Sequence, residues 1–337
     1  MKKLLLTSAL AALATASFGQ FTAGNLVIGI QGTASGAAAI TQINKTSGAA
    51  GFSVTTTGFR FQTSTAGGGL KVGINGSVYA PGSLDTSTSA PKVARVDMAG
   101  NLALAVVQGS VAPRGVAAKD DGTFFVTQLS PAGVYSGSLT FDNSTSSSLN
   151  IVGTGATSRI VAAFGADSYV TRASATATSH GVFLNGTSNQ VAAAGTPATT
   201  GPSDLWLSWD GLTMFTADER TTPGVGGVVK WTRASTAANF TQQYILSTIT
   251  GGSIEGARFV SAEETAPGQF TIYSATAEGS ANRLVKIVDT GAGSAASLLM
   301  TAGATENIRG VAVVPEPASM AVLGLGILGL ARRRRNK

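Results

Sequence analysis

Apolar and polar positions along the middle of this chain change places over very short distances. Runs of four to seven residues rich in Val, Ile, Thr, Phe and Tyr alternate with clusters of Gly, Ser, Asp and Asn. Helix-length stretches of period 3.6 are missing between the tails. The pattern therefore predicts many short strands joined by tight turns. Five segments of this kind align with one another: "RFQTSTAGGGLKVGI" from Arg60, "RGVAAKDDGTFFVTQ" from Arg114, "RIVAAFGADSYVTRA" from Arg159, "DLWLSWDGLTMFTAD" from Asp204 and "RFVSAEETAPGQFTIYSA" from Arg258. A sixth, "RGVAVVPEP" from Arg309, is cut short. Each is a strand, a Gly- or Asp-rich turn and a second strand, with Asp120-Asp121-Gly122 and Asp210-Gly211 as hairpin punctuation.

Two further candidate strands follow each hairpin. The third are "KVARVDM", "VYSGSLT", "HGVFLN", "VVKWTR" and "LVKIVD"; the fourth are "NLALAVV", "SLNIVG", "QVAAAG", "YILST" and "SLLMTA". Successive starts lie 54, 45, 45, 54 and 51 residues apart. Four short strands at that period make a β-propeller blade. The sixth unit holds one strand only, Arg309 to Val313. The N-terminal stretches "NLVIGI", "AAITQIN" and "GFSVTTTG" supply the other three, so both ends of the body would build one closing blade. The expected fold is an all-β propeller of about six four-stranded blades over residues 20–313. A seventh blade would need an extra sheet within 60–113; a β-helix or a pair of sandwiches is the competing architecture.

Composition narrows the chemistry. Charged residues are 12% of the 337, glycine numbers 43, there is one histidine (His180), and there is no cysteine. Disulfides, thiolate metal sites and a cysteine nucleophile are thereby excluded. A serine triad would have to use His180, which sits in "SHGVFLN" without a G-x-S-x-G elbow and reads as a surface residue. The pairs Asp120-Asp121, Asp218-Glu219 and Glu263-Glu264 lack calcium-loop spacing and read as solvated turn residues. No cofactor or metal is expected. Of the three tryptophans, Trp206 and Trp231 alternate with core positions, while Trp209 beside its turn is expected to be exposed.

The formal charge of +6 belongs to the ends. Lys2, Lys3, Arg332, Arg333, Arg334, Arg335 and Lys337 lie in tails without an acidic residue. The remainder has 16 basic against 17 acidic residues, so nucleic acid is not an expected partner. Residues 1–19 have the layout of a secretory signal peptide: two lysines, an apolar run from Leu4 to about Ala16, then small residues. At the other end, Met320 to Ala331 forms an apolar stretch of about 18 Å as a helix. That is a short membrane span, with Arg332 to Arg335 kept on the cytoplasmic side.

The ending from 314 to 337, with Val314-Pro315-Glu316-Pro317, a short apolar helix and an arginine cluster in that order, resembles the PEP-CTERM sorting signal of bacteria. The body is similar to the propeller-type extracellular regions attached to such signals. The resemblance implies processing by exosortase, a membrane-embedded transpeptidase-like enzyme, near the motif. Secretion channel and signal peptidase would act before it. The precursor would be anchored in the inner membrane by its C-terminal helix with the body outside, and the mature form would be at the cell surface or in the matrix.

One constellation emerges from the repeat alone. Arg60, Arg114, Arg159, Arg258 and Arg309 share one aligned position, with Asp204 in the remaining unit. First strands line a propeller's channel, so these arginines would ring one mouth and are a candidate site for anions, such as an acidic extracellular polysaccharide. The expected function is a non-catalytic structural, adhesive or glycan-binding module. The alternative is an extracellular propeller hydrolase or lyase acting on polysaccharide.

Overall fold

In the computed structural model, residues 21–32, 38–62, 67–73, 75–84, 87–109, 111–119, 121–129, 131–154, 158–195, 201–251 and 254–314 are described. The signal peptide, Pro315 to Pro317, the apolar C-terminal stretch and the arginine cluster lie outside them. Six antiparallel sheets follow the chain. Blade 2 runs Gly115–Ala118, Phe124–Leu129, Ala132–Gly137, Asn150–Gly153 from axis to rim. Blade 3 runs Ser158–Phe164, Asp167–Arg172, Gly181–Leu184, Gln190–Ala193, and blade 4 Pro202–Leu207, Thr213–Asp218, Gly227–Thr232, Thr241–Leu246. Blade 5 runs Ala257–Ala266, Gln269–Thr276, Arg283–Val288, Ala296–Thr301. Innermost strands of successive blades touch around the whole ring.

Blade 6 is the closing blade. Its inner strand Glu306–Val313 pairs antiparallel with Leu26–Gly32, which continues to Ala38–Ile43 and Ala50–Thr56. Phe21 and Val314, at the two ends of the described body, share one core cluster. Val314 N donates to Asn25 O and Gly24 N donates to Val314 O. The ring is thus closed by hydrogen bonds between head and tail of the body, and no inner edge is left open.

The core is divided into six buried clusters, one between each pair of neighbouring blades. This explains the apolar character of the second strands, which are buried on both faces. In Gln269–Thr276, Phe270 and Ile272 pack toward blade 4 while Tyr273 and Ala275 pack toward blade 6. Outer strands are wetter: the first three residues of Thr241–Leu246 are all exposed. Side-chain latches join one blade to the next. Thr127 donates its hydroxyl to Arg159 O, Thr171 to Ser203 O and Ser203 to Arg258 O, while Asn282 Nδ2 donates to Ile308 O. They satisfy inner-strand carbonyls that would otherwise lack a partner inside the ring.

Blade 1 departs from the expected hairpin. The glycine run at 67–69 does not turn the chain between first and second strands. It interrupts the inner strand, whose halves Arg60–Phe61 and Lys71–Val72 both pair with Val78–Leu84. Ser87–Val96 and Leu102–Val107 complete the blade, and Ser146–Ser147, sent across from blade 2, adds a short parallel edge. Gly67 to Leu70 are buried and run along the axis. Gly68 N donates to Arg114 O and Gly69 N to Arg309 O, at 3.0 and 2.8 Å. A methyl group on Gly69 (φ +83°) would meet Ile160 Cδ1 at 2.8 Å, and one on Gly68 would meet the Phe259 ring at 3.0 Å. Glycine is required here both by backbone conformation and by space.

That double requirement separates two substitutions. Gly122 also has a positive φ (+80°), but nothing stands within 4 Å of an added Cβ. Gly122→Ala is expected to cost about 1 kcal/mol, the backbone term alone. Gly69→Ala adds overpacking and is expected to cost about 3 kcal/mol. Urea unfolding of the two variants beside the parent measures the difference; equal costs would refute a filled axis.

Candidate functional site

The recurring arginine position is built by a recurring irregularity. In blades 3, 4 and 5 the inner strand carries one extra residue against its neighbour, within Ser158–Val161, Pro202–Asp204 and Ala257–Phe259. In blade 6 the pairing passes from Gly310 to Ile308 and leaves Arg309 as the extra residue. Such bulges re-aim a side chain and bend the strand. They bring the guanidiniums of Arg159, Arg258 and Arg309, with that of Arg114 just before blade 2, toward the mouth where inner strands begin.

The bulge also corrects the alignment in blade 4. Ser203, not Asp204, takes the arginine position, and its Oγ donates to Arg258 O at 2.9 Å. Asp204 falls one residue deeper, level with Ile160 and Phe259, beside the glycine run. There it is fully buried and paired with Lys71 of blade 1, Nζ to Oδ1 at 2.7 Å. Leu205 N and Val260 N donate to the same carboxylate, and Lys71 Nζ also donates to Leu205 O. Burial pushes the Asp204 carboxyl up, and Lys71 opposes that shift.

Four of the five predicted arginines form an arc. Burial, and then the charge of Arg159, lowers Arg114. Burial lowers Arg258 too, against the upward pull of Glu219 and Glu278. Burial, and then Arg258, pushes Arg309 down to about 10. Arg159, Arg258 and Arg309 are 6%, 5% and 9% exposed, so a polymer chain cannot lie along them. Arg60 stands apart: it is half-buried and its Nε donates to Ser83 Oγ.

Two acidic positions read as solvated turn residues are instead buried. Glu219 sits in the arc, pairing with Arg159 and lying 3.7 Å from Arg258 Nε. Asp218 is held by both Nε and Nη2 of Arg220. Their sequence signal was a turn, but the turn lies over the ring mouth, where the neighbouring arginines are. His180 is buried as well, only 1% exposed, with its Nδ1 accepting from Ser174 N, and Gly201 leaves room for its ring. Glu263 holds Lys45 and Tyr273, while Glu264 Oε1 caps a turn through Gly268 N. Trp231 is core and donates to Thr216 Oγ1; Trp206 packs between Phe215 and Phe270; Trp209 is 75% exposed. No group of three or more His, Cys, Asp and Glu able to hold a metal occurs among the described residues.

The buried pair predicts a sign. Lys71→Met leaves Asp204 uncompensated and is expected to cost about 3–5 kcal/mol at neutral pH. An acid whose folded pKa is raised contributes stability that is present at low pH and lost as pH rises through the folded value. The variant is therefore expected to gain stability relative to the parent as pH falls from 7 toward 5, and Lys71→Met with Asp204→Asn, which keeps a neutral acceptor beside Leu205 N and Val260 N, to recover part of the loss. Thermal melts across that range decide; a pH-independent gap would exclude Asp204 as the cause.

Residues 313–335 match the PEP-CTERM protein-sorting motif model. No curated protein matches the chain. Among solved structures, the fold is similar to a protein of unknown function from Bacteroides caccae, at TM-score 0.52 and 11% identity over 88% of this chain and 100% of that one. A streptogramin B lyase structure aligns at TM-score 0.45 and 12% identity, over 86% and 91% of the two chains. The calcium-binding protein regucalcin from Agrobacterium tumefaciens str. C58 aligns at 0.46 and 12%, over 71% and 77%. The likeness to the Bacteroides caccae protein concerns the fold alone. The chain is an exported six-bladed β-propeller that carries a PEP-CTERM sorting signal.

Proposed function

We propose that this protein is an exosortase-processed component of the cell surface or extracellular matrix, and that its propeller is a non-catalytic structural or adhesive module in contact with acidic polysaccharide. The observation that carries this reading is the filled axis. The channel by which a propeller takes substrate to its centre is occupied by Gly67 to Leu70 and spanned by the Lys71–Asp204 pair. At the basic mouth the acid best placed for proton transfer, Glu219, is engaged by two arginines. A general acid or base needs a free, suitably tuned group within reach of its substrate.

In this reading the precursor passes the secretion channel, loses its signal peptide and is held by the apolar stretch before the arginine cluster until exosortase cuts. The body sets bounds on both cuts. Phe21 and Val314 are each 1% exposed and hydrogen-bonded into blades 1 and 6, so the mature chain keeps both. Intact mass of the surface-released protein is expected to give an N-terminus no later than residue 21. Its C-terminus is expected at or after Val314, with Arg332 to Arg335 gone. Retained arginines would defeat the sorting reading. The same preparation is expected to bind matrix polysaccharide without releasing reducing ends; turnover would favour the hydrolase or lyase alternative.

A further inference from the structure

The arginine arc has more guanidiniums than carboxylates, and its unbonded donors gather at one edge, although both Glu278 oxygens are also buried without a hydrogen bond. Arg114, Arg159, Arg258 and Arg309 face two carboxylates, Glu219 and Glu278, and Glu278 also faces Arg283 at 3.8 Å. Arg159 and Arg258 find acceptors: Glu219 for the first, Ala277 O and Glu278 O for the second. Arg309 does not. Its Nε and Nη1 are buried and make no hydrogen bond among the described residues, and neither does Arg258 Nε, whose nearest carboxylate oxygen is 3.7 Å away. Gln31 Oε1 and Asn307 Oδ1, cross-strand partners beside the Arg309 bulge, are buried without a partner too, but as acceptors they call for a donor such as water and lend nothing to an anion.

An uncompensated buried charge costs several kcal/mol, and an unmade buried hydrogen bond adds to it. Charge and donors together ask for a small dianion with several oxygens. We propose that the edge of the arc between Arg309 and Arg258 binds a tetrahedral oxyanion, sulfate or phosphate, either free or as a monoester on a sugar. The forked donors of two guanidiniums match such a group, and its negative charge offsets the surplus of four guanidiniums over two carboxylates in the arc. Burial of the arc excludes a run of polymer, so the proposed ligand is a single anionic group. This inference deepens the glycan-binding reading and rests on it only for the sugar-borne source of the anion.

The test is thermal unfolding of the secreted protein titrated with sodium sulfate or phosphate at constant ionic strength, chloride making up the balance. A site specific to the native state gives a saturable rise of a few degrees in Tm. Arg309→Gln is expected to abolish that rise and, in chloride alone, to melt at or above the parent, because an unbalanced buried charge has been removed. Isothermal titration of the unaltered protein with sulfate gives a second readout that does not depend on the variant folding. A flat titration in both, or a linear rise that Arg309→Gln leaves intact, overturns the proposal. Glucose 6-sulfate and inorganic sulfate are run side by side: saturation by the inorganic ion assigns a resident structural anion, and saturation by the sugar ester alone assigns a glycan end. Polysaccharide retention, measured separately, reports on the adhesive role whichever way these titrations fall.

Discussion

The pairing of Glu306–Val313 with Leu26–Gly32 is the constraint on which the rest of the molecule depends. Six sheets packed face to face around an axis leave no free inner edge only if the last strand finds the first, and here it does so with seven register positions and one bulge. The bulge is Arg309, so the contact that closes the ring also delivers a buried guanidinium with unbonded Nε and Nη1 to the mouth. The same strand carries the chain to Val314, where the sorting motif has already begun. Closure and basic mouth are two consequences of eight residues.

Closing the ring creates a second problem, the space down the middle. Side chains at the axis-facing position are Ile160, Asp204 and Phe259, with glycines at 115 and 310. Large and absent side chains at that level leave an uneven gap. The interrupted inner strand of blade 1 fills it with backbone, whose two amides find carbonyls on the flanking blades. The one acid facing the gap would be untenable alone in so dry a place, and Lys71, arriving on the same segment, compensates it. Packing and electrostatics at the axis therefore come from a single stretch, Gly67 to Lys71.

The blades were legible because strand, turn and spacing repeat: Asp210-Gly211 and Asp121-Gly122 mark hairpins that form, and the three N-terminal strands take the places the truncated sixth unit leaves. The glycine run was not, since glycine reads as turn punctuation and its use as filler depends on five other blades. Aligned letters placed Asp204 among the arginines; one extra residue per inner strand shifts it inward, and a bulge leaves no mark in composition. Glu219 and His180 followed the same logic. Each is polar and beside a turn, yet each is buried, because neighbouring blades cover the places where those turns lie. Exposure of Trp209 and burial of Trp231 were readable, since both follow from alternation within a single hairpin.

The sorting motif and the propeller overlap at Val313 and Val314, so a cut within the motif would leave the fold intact only if the last strand stays with the body. Thermal unfolding of two truncated chains, one ending at Val314 and one at Thr305, tests this most directly. The chain ending at Val314 is expected to melt cooperatively at the temperature of a chain that keeps residues 315–337. The chain ending at Thr305 is expected to lose cooperative melting, having an open ring. Equal melting of the two truncations would contradict closure by the C-terminal strand.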